Sequence, residues 1–236
     1  MGEEGLLDWK TKSEDPNAVF SDYLANLDEM GPTAKDVISS FPVYVGYVSL
    51  ARYLAFYELY KQVMDIPGHI AEIGTYRGAS LVFFGKLIKL FEPHNYTQAH
   101  GFDWFQGMKP TGDDNDSESG NWVGDYERLQ QLVAQQQLED CVVVHKMDVT
   151  KDLSAFLEDH RYMRFKLAFI DCGVRDVITK SLECLWPRLV KGGILIMDHY
   201  NTAVSPLESE LVEQCIGDRP VQKLAFARQP TGYVVK

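Results

Sequence analysis

The chain has 236 residues, 45% of them hydrophobic, with a formal net charge of −11. That length and apolar content supply a full core and exclude a mainly disordered chain. So acidic a protein is repelled by nucleic acid and by anionic membrane surfaces, and neither is expected as a partner.

The expected substrate is a small molecule. It is neutral or cationic, or it meets a locally positive or metal-bearing site.

Taken in chain order, residues 1–15 are polar. Asp15-Pro16 then gives a helix start, with Asp15 as N-cap and Pro16 in the first turn. Phe20, Tyr23, Leu24 and Leu27 follow at helical spacing, and Gly31-Pro32 ends the run. Thr33 caps a short helix carrying Val37 and Ile38, and Pro42 interrupts again. From Val45 to Val63 apolar residues cover most of a helix's circumference. Such a helix is buried among others or lies at a subunit interface, and its tyrosines suit an interface. Residues 1–66 are therefore expected to form a helical cap or interface region, with residues 67–236 as the main domain.

The main domain alternates strands with helices. His69 to Ile73 reads as strand one, Ala99 to Asp103 as strand two, Val142 to His145 as strand three, Leu167 to Asp171 as strand four and Ile194 to Asp198 as strand five. Helices are expected at 78–91, 125–137, 153–157 and 177–189. Residues 110–121, Pro-Thr-Gly-Asp-Asn-rich, have loop composition. The pattern predicts an α/β fold with a parallel sheet covered on both faces. Near the end, Val221-Gln-Lys-Leu-Ala-Phe226 and Gly232-Tyr-Val-Val235 are expected to close an antiparallel hairpin across Arg228-Gln-Pro-Thr231.

Ligands of an open parallel sheet bind beyond the carboxyl ends of its strands. Those ends carry Glu72, Asp103, Asp148, Asp171 and Asp198. One acid there is an ordinary cap or loop residue; five along one edge are more than capping requires. The turn Gly74-Thr75-Tyr76-Arg77-Gly78 lacks the Gly-x-Gly-x-x-Gly spacing of a dinucleotide site, which argues against a nicotinamide oxidoreductase. Asp103, at the tip of strand two, is placed to accept hydrogen bonds from two ribose hydroxyls. Asp148 either caps an adenine amino group or N-caps the next helix. Trp104, Phe105 and Trp122 flank the expected pocket, as ring-stacking partners or as ordinary packing.

Asp171 and Asp198-His199 end neighbouring strands. They either converge on a divalent ion, or Asp171 shapes a cofactor pocket without one. Oxygen-rich ligation suits magnesium, and His199 shifts the preference toward manganese, iron or a softer metal. The other histidines read differently: His69, His94 and His160 as surface or turn residues, His100 and His145 as structural.

Cys141, Cys172, Cys184 and Cys215 form no Cys-x-x-Cys pair, so reduced thiols rather than a zinc site are expected. The opening Met1-Gly-Glu-Glu-Gly5 lacks the regions of a signal peptide. The longest apolar stretch, Phe41 to Met64, is interrupted by Arg52, Glu58 and Lys61, short of the ~20 apolar residues of a membrane helix. A cytoplasmic location is expected.

Three stretches carry a family likeness: Ala71-Glu-Ile-Gly-Thr-Tyr-Arg-Gly-Ala-Ser80, Gly101-Phe-Asp-Trp-Phe-Gln-Gly-Met108, and Phe169-Ile-Asp-Cys172 together with Gly192-Gly-Ile-Leu-Ile-Met-Asp-His-Tyr200. From about Tyr53 to Tyr200 the chain resembles the macrocin-type O-methyltransferases, class I S-adenosylmethionine enzymes, many of which methylate sugar hydroxyls in antibiotics. The resemblance implies a Rossmann-like, seven-stranded, mostly parallel sheet whose last two strands form a reversed hairpin. It implies that the cofactor is held by Glu72, Gly74, Ser80, Asp103 and Asp148; the turn residues Thr75 and Tyr76, with Trp104 and Asp171, complete the candidate set. It further implies a magnesium site at Asp171, Asp198 and His199. Two positions depart from the family pattern. His199 stands where Asp, Glu or Asn is usual, and Gly173 stands where some members carry an acid acting as base.

The expected activity is S-adenosylmethionine-dependent methylation of a hydroxyl on a small metabolite, a sugar in natural-product biosynthesis among the candidates. Asp171 and His199 are the catalytic candidates, His199 either ligating the ion or taking the proton. A homo-oligomer formed through the N-terminal helices is expected. The alternatives are a non-catalytic assembly subunit of the same fold, or a relative of the hydroxylases that act with partner proteins.

Overall fold

The computed structural model describes residues 22–112, 114, 119–203 and 205–236. The expected N-cap Asp15-Pro16, the apolar Phe20 and most of the acidic stretch at 113–118 lie outside them. Helix α1 comprises residues 22–30. It is followed by α2 (Ala34–Ser39), α3 (Phe41–Tyr44) and α4 (Tyr47–Val63). Thr33 caps α2 as expected, in a reciprocal box with Asp36. Pro42 sits in the first turn of α3, where a missing N–H costs nothing.

The main domain runs β1 (His69–Ile73), α5 (Ala79–Phe91), β2 (Ala99–Asp103), α6 (Tyr126–Gln135), β3 (Val142–Lys146), α7 (Val149–Asp159), β4 (Phe165–Ile170), α8 (Arg175–Leu185), β5 (Leu189–Met197), α9 (Glu208–Ile216) and β6 (Gly232–Val235). The sheet order is β3-β2-β1-β4-β5-β6. Strands β1 to β5 pair in parallel, and β6 runs antiparallel to β5. Strand β4 is buried at every position, as a strand covered on both faces must be.

Side chains alternate between two cores. Along β5, Ile194 and Ile196 join Phe56, Leu59, Tyr60 and Val63 of α4 and Leu81 and Phe84 of α5 on one face. Leu195 and Met197 join Leu153 of α7, Leu182 of α8 and Val212 of α9 on the other. The second half of α4 is thus part of the sheet's core, although it precedes β1. Its tyrosines divide: Tyr60 is fully buried and Tyr47 exposed.

The expected seventh strand is not formed; the described residues contain six. Residues 221–226 meet β6 only through the bridge between Gln222 and Tyr233. Val221 packs against the second core and Leu224 against the first, but the chain turns after Leu224, the Ala227 N–H donating to the Leu224 carbonyl at 3.1 Å, and Phe226 is exposed, so the pairing does not continue beyond that bridge. Strand β5 also begins earlier than expected. Phe165 pairs with Leu189 but Leu167 with Ile194, so Gly192, at φ +80°, bends the chain inside the strand rather than before it.

Candidate active site

The carboxyl ends of β1 to β5, and the loops just beyond them, hold the predicted acids. The first is the β1–α5 turn. Gly74 has φ +86°, and a Cβ there would lie 2.0 Å from the Asp171 carbonyl oxygen, so only glycine lets β1 leave the sheet beside β4. Gly78, at φ +80°, ends the turn and starts α5.

Glu72 is fully buried beneath this turn. Its Oε1 accepts a short hydrogen bond from the Ser80 hydroxyl. Its Oε2 has no partner, and neither does the buried Thr75 Oγ1. Burial, opposed by the Ser80 contact and reinforced by Asp171, pushes the Glu72 carboxyl up to about 8. Unsatisfied buried oxygens are uncommon in a finished core, and here they leave hydrogen-bonding capacity open around the glycine turn.

Asp103 faces the same turn from β2. Its Oδ2 accepts the Tyr76 backbone N–H at 2.8 Å and its Oδ1 that of Phe105 at 2.7 Å. Burial raises its pKa, against which the backbone N–H groups of Thr75 and Trp104 also favour the ionised form. Beyond it, Trp104, Gln106, Lys146, Met147, Asp148, Lys151 and Asp152 line a cleft of about 380 Å³. Of the two readings of Asp148, the N-cap is observed: it accepts from the Thr150 N–H at 3.1 Å, and Lys151 Nζ lies 2.6 Å away. The same carboxylate lines the cleft. Trp104 donates its indole N–H to the Gly107 carbonyl at 2.6 Å, and Trp122 meets Tyr76 edge-on with centroids 5.4 Å apart. Phe105 is buried in the core, against Tyr126.

Asp171 and Asp198 do converge with His199. One ligand atom from each lies within 4.8 Å of the others. His199 Nε2 is 3.4 Å from Asp198 Oδ2 and 3.9 Å from Asp171 Oδ1. Two carboxylates and an imidazole are a donor set that fits a divalent ion. Burial and the neighbouring Asp198 raise the Asp171 carboxyl to about 7, against the pull of Arg52. Burial also raises Asp198 and lowers His199, so the ring is neutral and able to bind metal or accept a proton.

Three further residues join this cluster. Arg52 of α4 donates from Nη2 to Asp171 Oδ2 at 2.7 Å and from Nη1 to Asp198 Oδ1. Burial works against its charge, yet Asp198 and Asp171 outweigh this and hold the guanidinium protonated. Gln229 donates to Asp198 Oδ2 at 2.8 Å and lies 3.3 Å from His199 Nδ1. Glu208, fully buried, accepts the His199 backbone N–H at 3.2 Å, and its Oε2 has no partner. Arg52 is the only one with a sequence signal, a charge inside an otherwise apolar helix.

Three of the remaining histidines form a separate group. His100 Nδ1 is 3.0 Å from His145 Nε2, and His69 stands edge-on to His100. Burial drives His100 down to about 3 and His145 to about 4, so both are structural, neutral rings. No helix among the described residues is long and apolar enough to cross a membrane.

A glycine turn over a buried acid, an acid at the tip of β2 and a cleft beyond it stand at the carboxyl edge of an α/β fold with a mostly parallel sheet. Residues 71–200, more than half the chain, match the family model described as a methyltransferase domain, and the chain belongs to that family. The fold is shared with CalS11, a calicheamicin methyltransferase, at a TM-score of 0.82 and 21% identity over 91% of each chain. It is shared with the apo form of CalS11, described as a TDP-rhamnose 3'-O-methyltransferase of calicheamicin biosynthesis, at 0.76 and 21% over 91% of this chain and 93% of that one. The O-methyltransferase NovP aligns at 0.66 and 17% identity over 79% of each. No curated protein sequence matches the chain.

Proposed function

We propose that the protein is an S-adenosylmethionine-dependent O-methyltransferase acting on a hydroxyl of a small metabolite, with a sugar of natural-product biosynthesis as the leading acceptor class. The observation that carries this reading is the pairing of an incompletely satisfied acidic pocket around Gly74 with the Asp171, Asp198 and His199 cluster beside it. That the two CalS11 structures share the fold over nine-tenths of this chain supports the sugar reading.

When bound, S-adenosylmethionine supplies an electrophilic methyl group on a cationic sulfur. Asp103 accepts hydrogen bonds from the ribose hydroxyls. Glu72, ionised when a cation is bound, and Asp171 give the pocket the negative potential that a sulfonium cation needs. Trp104 and the cleft floor at Asp148 receive the adenine. Transfer of that methyl group to the acceptor oxygen would release the hydroxyl proton. With Gly173 in place of an acid, His199 is the residue suited to take that proton at a ring nitrogen. Asp171, Asp198 and His199 would alternatively hold a divalent ion that lowers the acceptor's pKa. Alignment of the two reactants supplies most of the acceleration. The exposed apolar side chains Ile38, Val43 and Tyr47 support a homo-oligomer through the N-terminal helices.

Calorimetry with S-adenosylmethionine tests the reading. Micromolar binding is expected, weakened about 10- to 100-fold by Asp103→Ala, as befits loss of charged hydrogen bonds. Absence of binding to the wild type overturns it. Full activity in EDTA removes the ion from the mechanism.

A further inference from the structure

The acids at the ends of β4 and β5 are not shared out at random. Arg52 takes Asp171 Oδ2 and Asp198 Oδ1. His199 Nε2 faces the opposite oxygens, Asp171 Oδ1 and Asp198 Oδ2. The guanidinium is held from its own side as well: its carbon lies 5.2 Å from the Phe56 ring centre and 5.5 Å from that of Phe169, both rings fully buried. Two carboxylates and two aromatic faces thus seat one cation. It is built into the core rather than laid over it.

Charge balance points the same way. Asp171 interacts electrostatically with Glu72, Asp198 and Glu208, and Arg52 with Glu72, Asp171 and Asp198. Among the described residues this group sets four carboxyl groups beside one guanidinium, which leaves room for a second cation. Arg52 reaches from 119 and 146 residues away in sequence to orient the two acids before that cation arrives.

We propose that Arg52 is the positioning residue of the cation pocket. Its fork holds one oxygen of each aspartate and turns the other toward His199 Nε2, so that three donors converge. This rests on the cation-assisted form of the function proposed above. A lysine has the charge but not the planar fork. A guanidinium that merely competed with the ion would have the opposite effect when removed.

The test is a titration with Mn²⁺ alone, followed by the paramagnetic resonance of free ion, on the wild type, Arg52→Met and Arg52→Lys. Loss of an outer partner of a metal-binding carboxylate weakens the ion about 10- to 100-fold. That loss is expected in Arg52→Met, with Arg52→Lys at least fivefold weaker than wild type. The lysine variant keeps the charge and serves where the methionine variant fails to fold. Mn²⁺ binding that is unchanged or tighter in the variants overturns the proposal, as does a wild type that binds no Mn²⁺. Titration of the wild type with S-adenosylhomocysteine tests the methyltransferase reading separately, since a protein that binds the nucleoside but no Mn²⁺ fails only the positioning role.

Discussion

The two ends of the sheet each bury a charged cluster, and they are finished to different degrees. At the amino ends of the strands, Glu92 and Lys166 are a closed set. Glu92 Oε1 accepts from Lys166 Nζ at 2.6 Å and from the Tyr60 hydroxyl. Its Oε2 accepts from Thr97 at 2.6 Å and Asn95 at 3.1 Å. Lys166 also donates to the Met64 carbonyl at 3.3 Å. At the carboxyl ends, Glu72 and Glu208 each keep an oxygen with no partner, and so does the Thr75 hydroxyl. A buried charge cluster that serves only the fold is neutralised within the chain; one that serves a ligand is left short of it.

The contrast is sharpest in stability. Lys166→Met leaves Glu92 buried without a cation and is expected to cost about 3–5 kcal/mol in urea unfolding. At the other end, Glu72→Gln replaces a group that is largely protonated at neutral pH. Its cost is expected below ~1 kcal/mol, while S-adenosylmethionine binding is weakened. Equal destabilisation by the two substitutions would break the comparison.

Proton linkage gives a second, smaller effect. The folded Glu72 carboxyl titrates at about 8 rather than 4.5, so between these values the native state binds more protons than the unfolded one. Its contribution to the stability of the ligand-free protein therefore falls as pH rises from about 4.5 to 8, and Glu72→Gln should flatten that slope in thermal melts. A cationic ligand favours the ionised carboxyl. Its affinity is expected to rise over pH 6 to 8, with proton release seen as a buffer-dependent calorimetric enthalpy. A pH-independent affinity would show that Glu72 is already ionised without ligand.

A further pH effect belongs to the histidine pair. His145 is neutral in the fold down to about pH 4, whereas an unfolded histidine takes up its proton near 6.5. Stability that is full above 6.5 is lost as pH falls toward 4. His145→Gln should lessen that loss by on the order of 1–2 kcal/mol, read as a shallower fall of Tm with pH. An unchanged slope would place the acid sensitivity elsewhere.

The acids at the strand ends, the Gly74 turn, the Thr33 cap and the existence of the first five strands were legible in the sequence. Each is carried by a local signal: alternation, a continuous buried run, a capping residue, or a glycine that must adopt positive φ. Asp148 was legible only as two alternatives, because an N-cap and a ligand acid share a residue type and a position. The missing seventh strand was misread because Val221-Gln-Lys-Leu-Ala-Phe226 has strand composition, while the turn after Leu224 cuts its pairing to the one bridge at Gln222.

What the sequence by itself determined is therefore the parallel sheet, its edge of acids and the membership of a methyltransferase-domain family. The tertiary structure decided which acids are satisfied. Arg52 reads in sequence as a charge interrupting an apolar helix, and Lys166 as a polar residue at the start of a strand. Their partners lie from 74 to 146 residues away, and electrostatic pairing acts through space, so no local pattern records it.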